Sequence, residues 1–511
     1  MWDRLHFRRP SPADVLFAVV VATLTVMAAR VWWISAIVPG MDYPQFLVFV
    51  RAVQDMGDPS SPFHGTYTVG PWFMPTSLPV HLTSALSYVA GHSIENAGKV
   101  LLTSAYVGVV GAGLYLLKVL ERPRWAILLV FPLIHSVWTV VGGFAAFATS
   151  VPIQVLGWAL TVRWLQRLDL RSGLGLTACI CCIFLWHGLG FTQLGFGFGV
   201  LWLLWRAPSW RARALAVLPT LPSLVLCAAW MSTTYGDKSA RPPPSWVPPW
   251  EAAEAIFDLV GPSVPHYTVR AFALLVLLGV GLLLGERNQG AAPHAGGMWR
   301  IRNVGLVISL AYFGAYFVSP RDMFGVSGVG VRFAYPAALA IVFAWNLPEA
   351  RAARVFMLAA MTAFSVWTLD DVSERFQRFA AETRGASALM DRVGLHETFY
   401  YAPDQGSSND FAGPTNKPMR EMEQYATVRH GGLPNSSFAG YGNNYVKYVN
   451  NQNPMPGLYG PPSWSTALTR FDWVMTRSSQ ALTDKHFKHV ESNEGWELYG
   501  VCGSAKFPTC P

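Results

Sequence analysis

Long apolar runs separated by short basic clusters organise this chain. The first run, from about Val15 to Val38, follows a stretch carrying Arg4, Arg8 and Arg9. Others cover roughly 96–117, 125–141, 144–164, 173–187, 188–205, 214–232, 268–285, 302–318, 333–347 and 353–369. Several are close to the shortest helix that crosses a bilayer, so the pattern predicts about eleven spans, an estimate that rests on bilayer thickness. The first run is too long for a secretory signal and no small-residue cleavage site follows it, so it is expected to be retained. Only Trp186-His187-Gly188 separates the runs 173–187 and 188–205. Reading these two as one span would move the Arg206 and Arg287 clusters to the side opposite the other basic clusters, so two spans are expected.

Basic residues set the orientation. Arg4/Arg8/Arg9, Lys118/Arg122/Arg124, Arg163/Arg167/Arg171, Arg206/Arg211/Arg213, Arg287/Arg300/Arg302 and Arg351/Arg354 fall in alternate loops close to span ends. Cytoplasmic loops collect Lys and Arg, which predicts a cytoplasmic amino terminus and an exoplasmic carboxyl terminus. Three exoplasmic segments are then longer than connectors: about 39–96, 233–267 and the tail from Asp370. In the first, Tyr43–Asp55 places Phe46, Leu47, Phe49, Val50 and Val53 at helical spacing opposite Gln45, Arg51 and Gln54, and Leu78–Val89 has a similar pattern. Both suit helices lying in the membrane interface. The second contains the stiff segment Arg241 to Trp250, rich in Pro and Trp. In the tail, 371–391 alternates as an amphipathic helix, and the stretches 470–475 and 495–499 read as short strands. The expected architecture is mainly α: a polytopic transmembrane helical bundle over 1–369 and a small exoplasmic α/β C-terminal domain over 370–511.

Composition narrows the class. Of 511 residues, 52% are hydrophobic and 14% aromatic but only 13% charged, about half the charge of an average soluble protein. A disordered chain would lack so many aromatic side chains. The formal charge of +8 lies in scattered topology clusters and not in one patch with aromatic platforms, so no nucleic-acid partner is expected. Cys179, Cys181, Cys182 and Cys227 lie in apolar runs, where Cys behaves as a small hydrophobe. Cys502 and Cys510 lie in the tail, where an oxidising compartment permits a disulfide. No zinc-ligand spacing occurs.

Few ionisable groups remain that topology does not explain. Asp42, in Gly40-Met-Asp-Tyr-Pro44, sits where span one meets water; it suits proton transfer or a cation, and equally a helix N-cap. His81, His135 and His187 each interrupt an apolar stretch, where an ionisable group faces a cavity or simply bonds a carbonyl. Arg321 and Arg332 flank the Gly-rich stretch Gly325, Gly328, Gly330. A guanidinium fork suits phosphate there, although Arg321 could instead pair with Asp322 and Arg332 could snorkel to headgroups. Asp370, Asp371, Asp237 and Lys238 read as solvated, and Asn435-Ser-Ser437 and Gly442–Tyr445 as polar loops able to touch sugar.

Taken with the first-loop Asp, the two interfacial helices and the exoplasmic tail, the stretches Asp42-Tyr-Pro44, Val130-Phe-Pro-Leu133, Gly142-Gly-Phe144, Trp186-His-Gly188, Phe471-Asp-Trp-Val474 and Trp496-Glu-Leu-Tyr499 carry a resemblance. The chain resembles the GT-C superfamily of polyprenyl-phosphate-dependent glycosyltransferases and, more narrowly, bacterial membrane proteins of GT-C-like architecture. The resemblance implies a bacterial plasma-membrane enzyme. It would move a sugar, with inversion, from a lipid-linked polyprenyl-phosphate donor to a glycan, lipid or protein acceptor outside the membrane. Only Asp42 is carried over from the resemblance by position, as base or as ligand of a divalent cation such as Mg or Mn; Arg332, Arg321, His187, His81 and Arg51 are the candidates expected to bind substrate under this reading. Many such enzymes carry a second acidic residue beside the first; Tyr43 stands there, leaving Asp55 and Asp58 as substitutes. A transporter or flippase is the rival reading, although no internal repeat and few intramembrane charges support one. A non-catalytic envelope glycan assembly protein is the other.

Overall fold

The computed structural model describes residues 11–135, 145–234, 243–256, 267–287, 303–323, 326–402, 408, 411, 417–435, 437, 439, 444–449 and 470–509. The predicted Gly142–Phe144 stretch, the pair Asp237 and Lys238, Gly325, Gly442, Asn443 and Cys510 lie outside the described residues.

Each apolar run meets a helix. In chain order these are α1 (Pro12–Arg30), then, after α2 (Tyr43–Asp55) and α3 (Ser77–Val89) of the first long loop, α4 (Ile94–Val119) and α5 (Arg124–Ile134). The bundle continues with α6 (Ala145–Arg167), α7 (Leu170–Trp186), α8 (Gly188–Leu204) and α9 (Trp210–Thr233). After the short α10 (Pro249–Ile256) come α11 (Tyr267–Arg287), α12 (Val304–Val318), α13 (Val331–Val342) and α14 (Arg351–Met390). Among the described residues, five helices are long and apolar enough to cross a membrane: α1 extended to Trp33, α4, α6, α9 and α14. The other apolar helices are shorter. The chain is a multi-pass membrane protein.

Local chemistry explains the helix ends. Ser11 and Asp14 form a reciprocal capping box with Pro12 in the first turn of α1, which satisfies backbone donors that otherwise lack partners. Between α7 and α8, His187 is extended (φ −162, ψ 118). Its Nδ1 accepts from the Gly190 amide at 3.1 Å, so the predicted break is a true boundary between two helices.

Two expectations for the tail differ from what is observed. The amphipathic stretch 371–391 is not a separate helix: α14 runs unbroken for 40 residues from the last apolar run into the tail. No Pro or Gly interrupts Arg351–Arg384, so nothing stops propagation. Asp371 is also not a solvated terminus. Its Oδ2 lies 2.8 Å from both Arg270 Nη1 and Arg375 Nε, whose side chains are 2% and 3% exposed.

The tail carries a four-stranded sheet in the order β4-β6-β8-β7, formed by β4 (Phe399–Tyr401), β6 (Trp473–Arg477), β8 (Trp496–Val501) and β7 (Phe487–Asn493). Strands β4 and β6 are parallel and the other neighbours antiparallel; β6 and β8 fall where alternation predicted strands. Cys502 is disulfide-bonded, while Cys179, Cys181, Cys182 and Cys227 are free.

The tail is sewn to the first long loop. Strand β1 (Tyr67–Val69) pairs antiparallel with β5 (Val446–Tyr448). Helix α15 (Gln424–His430) carries Arg429 in its last turn, which holds Glu95 at 2.7 Å and Asp391 at 3.0 Å. With its side chain 16% exposed, that guanidinium joins α15 to the starts of α4 and the end of α14.

Candidate active site

The site forms where three segments meet. The first is Val38–Asp42, the exit from span one. The tail covers it: the Tyr425 hydroxyl accepts from the Val38 amide at 3.0 Å and donates to the Val38 carbonyl at 3.2 Å, and the Gly40 amide donates to Pro418 O at 3.4 Å. Asp42 then occupies the N-cap position of α2, with Pro44 in the first turn, yet its side chain makes no capping hydrogen bond and its backbone is αR (φ −97, ψ −10). The capping role is therefore not what this carboxylate does.

The second segment is the start of α13. Here a proline sets the position of Arg332. Pro336 has no N–H, so the Arg332 carbonyl loses its partner four residues on. The Gln193 amide replaces it, with Nε2 donating to Arg332 O at 2.9 Å. Gln193 is itself held, its backbone carbonyl accepting from the Tyr312 hydroxyl, which in turn accepts from Gln154 Nε2 at 3.2 Å and Trp158 Nε1 at 3.3 Å. Helix α13 is also fastened along α12, where Ser309 donates to Ala337 O at 2.8 Å. At Gly305 a Cβ would lie 2.8–3.0 Å from backbone atoms of Phe343, Ala344 and Ala340, so only glycine allows that crossing. Gln193→Leu would strand a buried carbonyl at a cost of about 1–3 kcal/mol; a lower melting temperature and weakened phosphate-ligand binding are expected, and a variant indistinguishable from wild type in both would contradict this account of Arg332.

The third segment is the α7–α8 turn. The Arg332 guanidinium lies 5.8 Å from the Phe147 ring centroid, and Phe147 meets the His187 ring edge-on at 5.4 Å. Because His187 Nδ1 accepts from Gly190, the neutral ring carries its proton on Nε2, a donor. Pro75 abuts Gly188, and Thr76 beside it is left-handed (φ 70), a strained state for a β-branched residue of the sort that gathers at functional sites.

Electrostatics tie these segments together. Asp42 keeps partial solvent contact although protein surrounds it. Burial pushes its pKa up from 3.8 to about 7; Arg332 and Arg420 pull it back, and Glu421 pushes it further. The charge of Arg332 also acts on His187. Arg332 is thus within electrostatic reach of both Asp42 and His187. Glu421 and Arg420 belong to the tail, and Arg420 Nη1 lies 3.9 Å from the sulfur of Met41, the neighbour of Asp42. Next to them, burial and the nearby Glu421 carboxylate hold Glu423 well above the ordinary range.

Other predicted residues go elsewhere. Arg51 is bound to Asp55 at 2.6 Å and to Val428 O at 3.5 Å, linking α2 to α15. That occupies Asp55, while Asp58 accepts from Ser60; the acidic neighbour of Asp42 is Glu421 instead. His81 bonds the Tyr445 hydroxyl at 2.6 Å. His135 takes the bland alternative, with Nε2 3.1 Å from Ala28 O and Nδ1 3.1 Å from the Tyr106 hydroxyl. Arg321 is exposed, and its expected partner Asp322 accepts from Ser245 at 2.7 Å instead, anchoring the Pro-rich loop beside the hairpin of β2 (Asp322–Met323) and β3 (Val326–Ser327). Gly330 packs against the carbonyls of Tyr316 and Ser319. Asn435 is 4% exposed and offers little to a sugar.

The helical bundle with its long loops and folded tail has the GT-C fold. Among solved structures it is similar to ArnT from Cupriavidus metallidurans in the apo state, with TM-score 0.58 and 11% identity over 98% of this chain and 100% of that one. ArnT from the same organism bound to undecaprenyl phosphate gives TM-score 0.47 at 12% identity over 98% and 100%. The arabinofuranosyltransferase AftD from Mycobacteria gives 0.47 at 11% identity, covering 94% of this chain and 40% of that one. No protein-family model and no curated protein sequence matches.

Proposed function

We propose that the protein is an inverting glycosyltransferase that moves a sugar from a polyprenyl-phosphate donor to a hydroxyl acceptor on the exoplasmic face of a bacterial plasma membrane. The observation that supports this reading is that Arg332 acts electrostatically on the enclosed carboxyl of Asp42, within a fold shared with ArnT. Asp42, with a pKa of about 7, is a stronger base than an ordinary carboxylate and is matched to neutral pH. The acceptor O–H proton passes to Asp42 as the acceptor oxygen forms its bond to the anomeric carbon. The bond from that carbon to the phosphate oxygen breaks, and its electron pair leaves on polyprenyl phosphate. Arg332 holds the charge that develops there, and His187 Nε2 is a further donor.

Full-length protein in nanodiscs, offered a set of radiolabelled polyprenyl-phosphate sugars together with a membrane extract as acceptor source, is expected to release free polyprenyl phosphate with one of them. Failure to turn over any donor, combined with donor-independent movement of lipid between leaflets, would sink the proposal and favour a flippase.

A further inference from the structure

The fold class raises the question of a divalent cation, and the donor set gives an answer. Mg and Mn take about six oxygen ligands in octahedral geometry, usually with one or two carboxylates among them. Among the described residues no group of three or more His, Cys, Asp or Glu side chains is placed to hold a metal. Asp42 has Glu421 as its acidic neighbour, but Glu421 is already engaged: it is 5% exposed, its Oε2 accepts from Gln424 Nε2 at 2.8 Å, and its Oε1 lies 3.9 Å from Arg420 Nε. Two guanidinium groups, those of Arg332 and Arg420, act on the same Asp42. Arg332 approaches from the membrane bundle and Arg420 from the tail segment that covers Gly40 and Met41. A cation seated on Asp42 would be repelled by both. These residues do not fit a metal.

We propose that this site works without a divalent cation, and that Arg420, delivered by the tail, is the second positive group that binds the lipid phosphate opposite Arg332. The proposal rests on the glycosyl-transfer reading for its ligand. The Arg420 side chain is 41% exposed and so open to an incoming ligand, whereas Arg332 is 8% exposed and lies deeper. A phosphate between them receives donors from two forks, which a single arginine cannot supply. The tail is then part of the reaction centre, which accounts for its being sewn to the first loop by β1–β5 and by Arg429.

The test uses the full chain in nanodiscs, with a short-chain polyprenyl phosphate and Mn2+ as separate probes. Polyprenyl phosphate is expected to bind equally well with and without chelator, and Mn2+ to show no bound signal by electron paramagnetic resonance. Arg420→Gln should weaken phosphate binding about tenfold, the scale of one charge-assisted contact, while Arg420→Lys recovers part of that loss and so separates lost charge from lost fold. Stoichiometric Mn2+ binding that disappears in Asp42→Asn would overturn the proposal, as would unchanged phosphate binding in Arg420→Gln. Sugar transfer abolished by chelator and restored by Mn2+ would keep the transfer reading and remove this one. Cation-free, Arg420-dependent phosphate binding without transfer of any sugar would do the reverse.

Discussion

Asp42→Asn is expected to reduce sugar transfer by about 10²–10⁴-fold, the contribution of a positioned general base, with little change in donor binding. The asparagine keeps the shape of the side chain but cannot take the acceptor proton. The wild-type rate should rise with pH through about 7, because Asp42 accepts a proton only when ionised and its pKa is raised from 3.8 to that value; the residual rate of the variant should lack this limb. A second readout needs no activity. A carboxyl whose pKa is higher folded than unfolded contributes stability that is complete below 3.8 and is lost as pH rises through about 7. Asp42→Asn should therefore melt higher than wild type above pH 7, and the difference should vanish in acid. Thermal unfolding across that range checks this, and a variant that melts lower at every pH would show that Asp42 serves the fold.

Arg332→Ala carries the other large effect. Loss of a preorganised group that holds developing charge costs about 10²–10³ in kcat, and loss of phosphate binding would add to it in kcat/KM. Arg332 is also one of two cations that pull the Asp42 pKa down, so its removal should move the remaining pH limb to higher values. Arg332→Lys keeps the charge without the fork; it should restore the position of the limb while recovering only part of the rate. Parallel pH profiles of the three proteins separate these effects. A limb that stayed in place in Arg332→Ala would mean that the two side chains do not share a site.

Much of the scaffold was legible because burial in a membrane leaves long, one-dimensional signals. Apolar runs predicted the helices of the bundle, His187 marked the break between α7 and α8, and period-four spacing placed α2 and α3. Strand alternation located β6 and β8. Asp42 and Arg332 stood out by elimination, as charges that neither topology nor composition required. By contrast, α14 was divided in two because hydropathy changes at Asp370 while helix propensity does not, and Asp371 gave no hint of Arg270, which is 101 residues away. Arg51 and His81 look in sequence like any other polar side chain, and only the structure shows that Arg51 bonds Asp55 and His81 bonds the Tyr445 hydroxyl.

Sequence by itself determined the class of molecule, a charge-poor multi-helix membrane chain, because local hydrophobicity and periodicity are properties of neighbouring residues. Tertiary structure alone decided which charges meet. Arg420 and Glu421 reach Asp42 across about three-quarters of the chain (Arg420 and Met41 are 379 residues apart), brought there by Tyr425, Pro418 and Arg429 through contacts that no local pattern encodes. Arg332 owes its place to a proline four residues away and to a glutamine on another helix. A shift in proton affinity depends on burial and on charges close in space, so the chemistry of Asp42 existed only once the tail had folded over it.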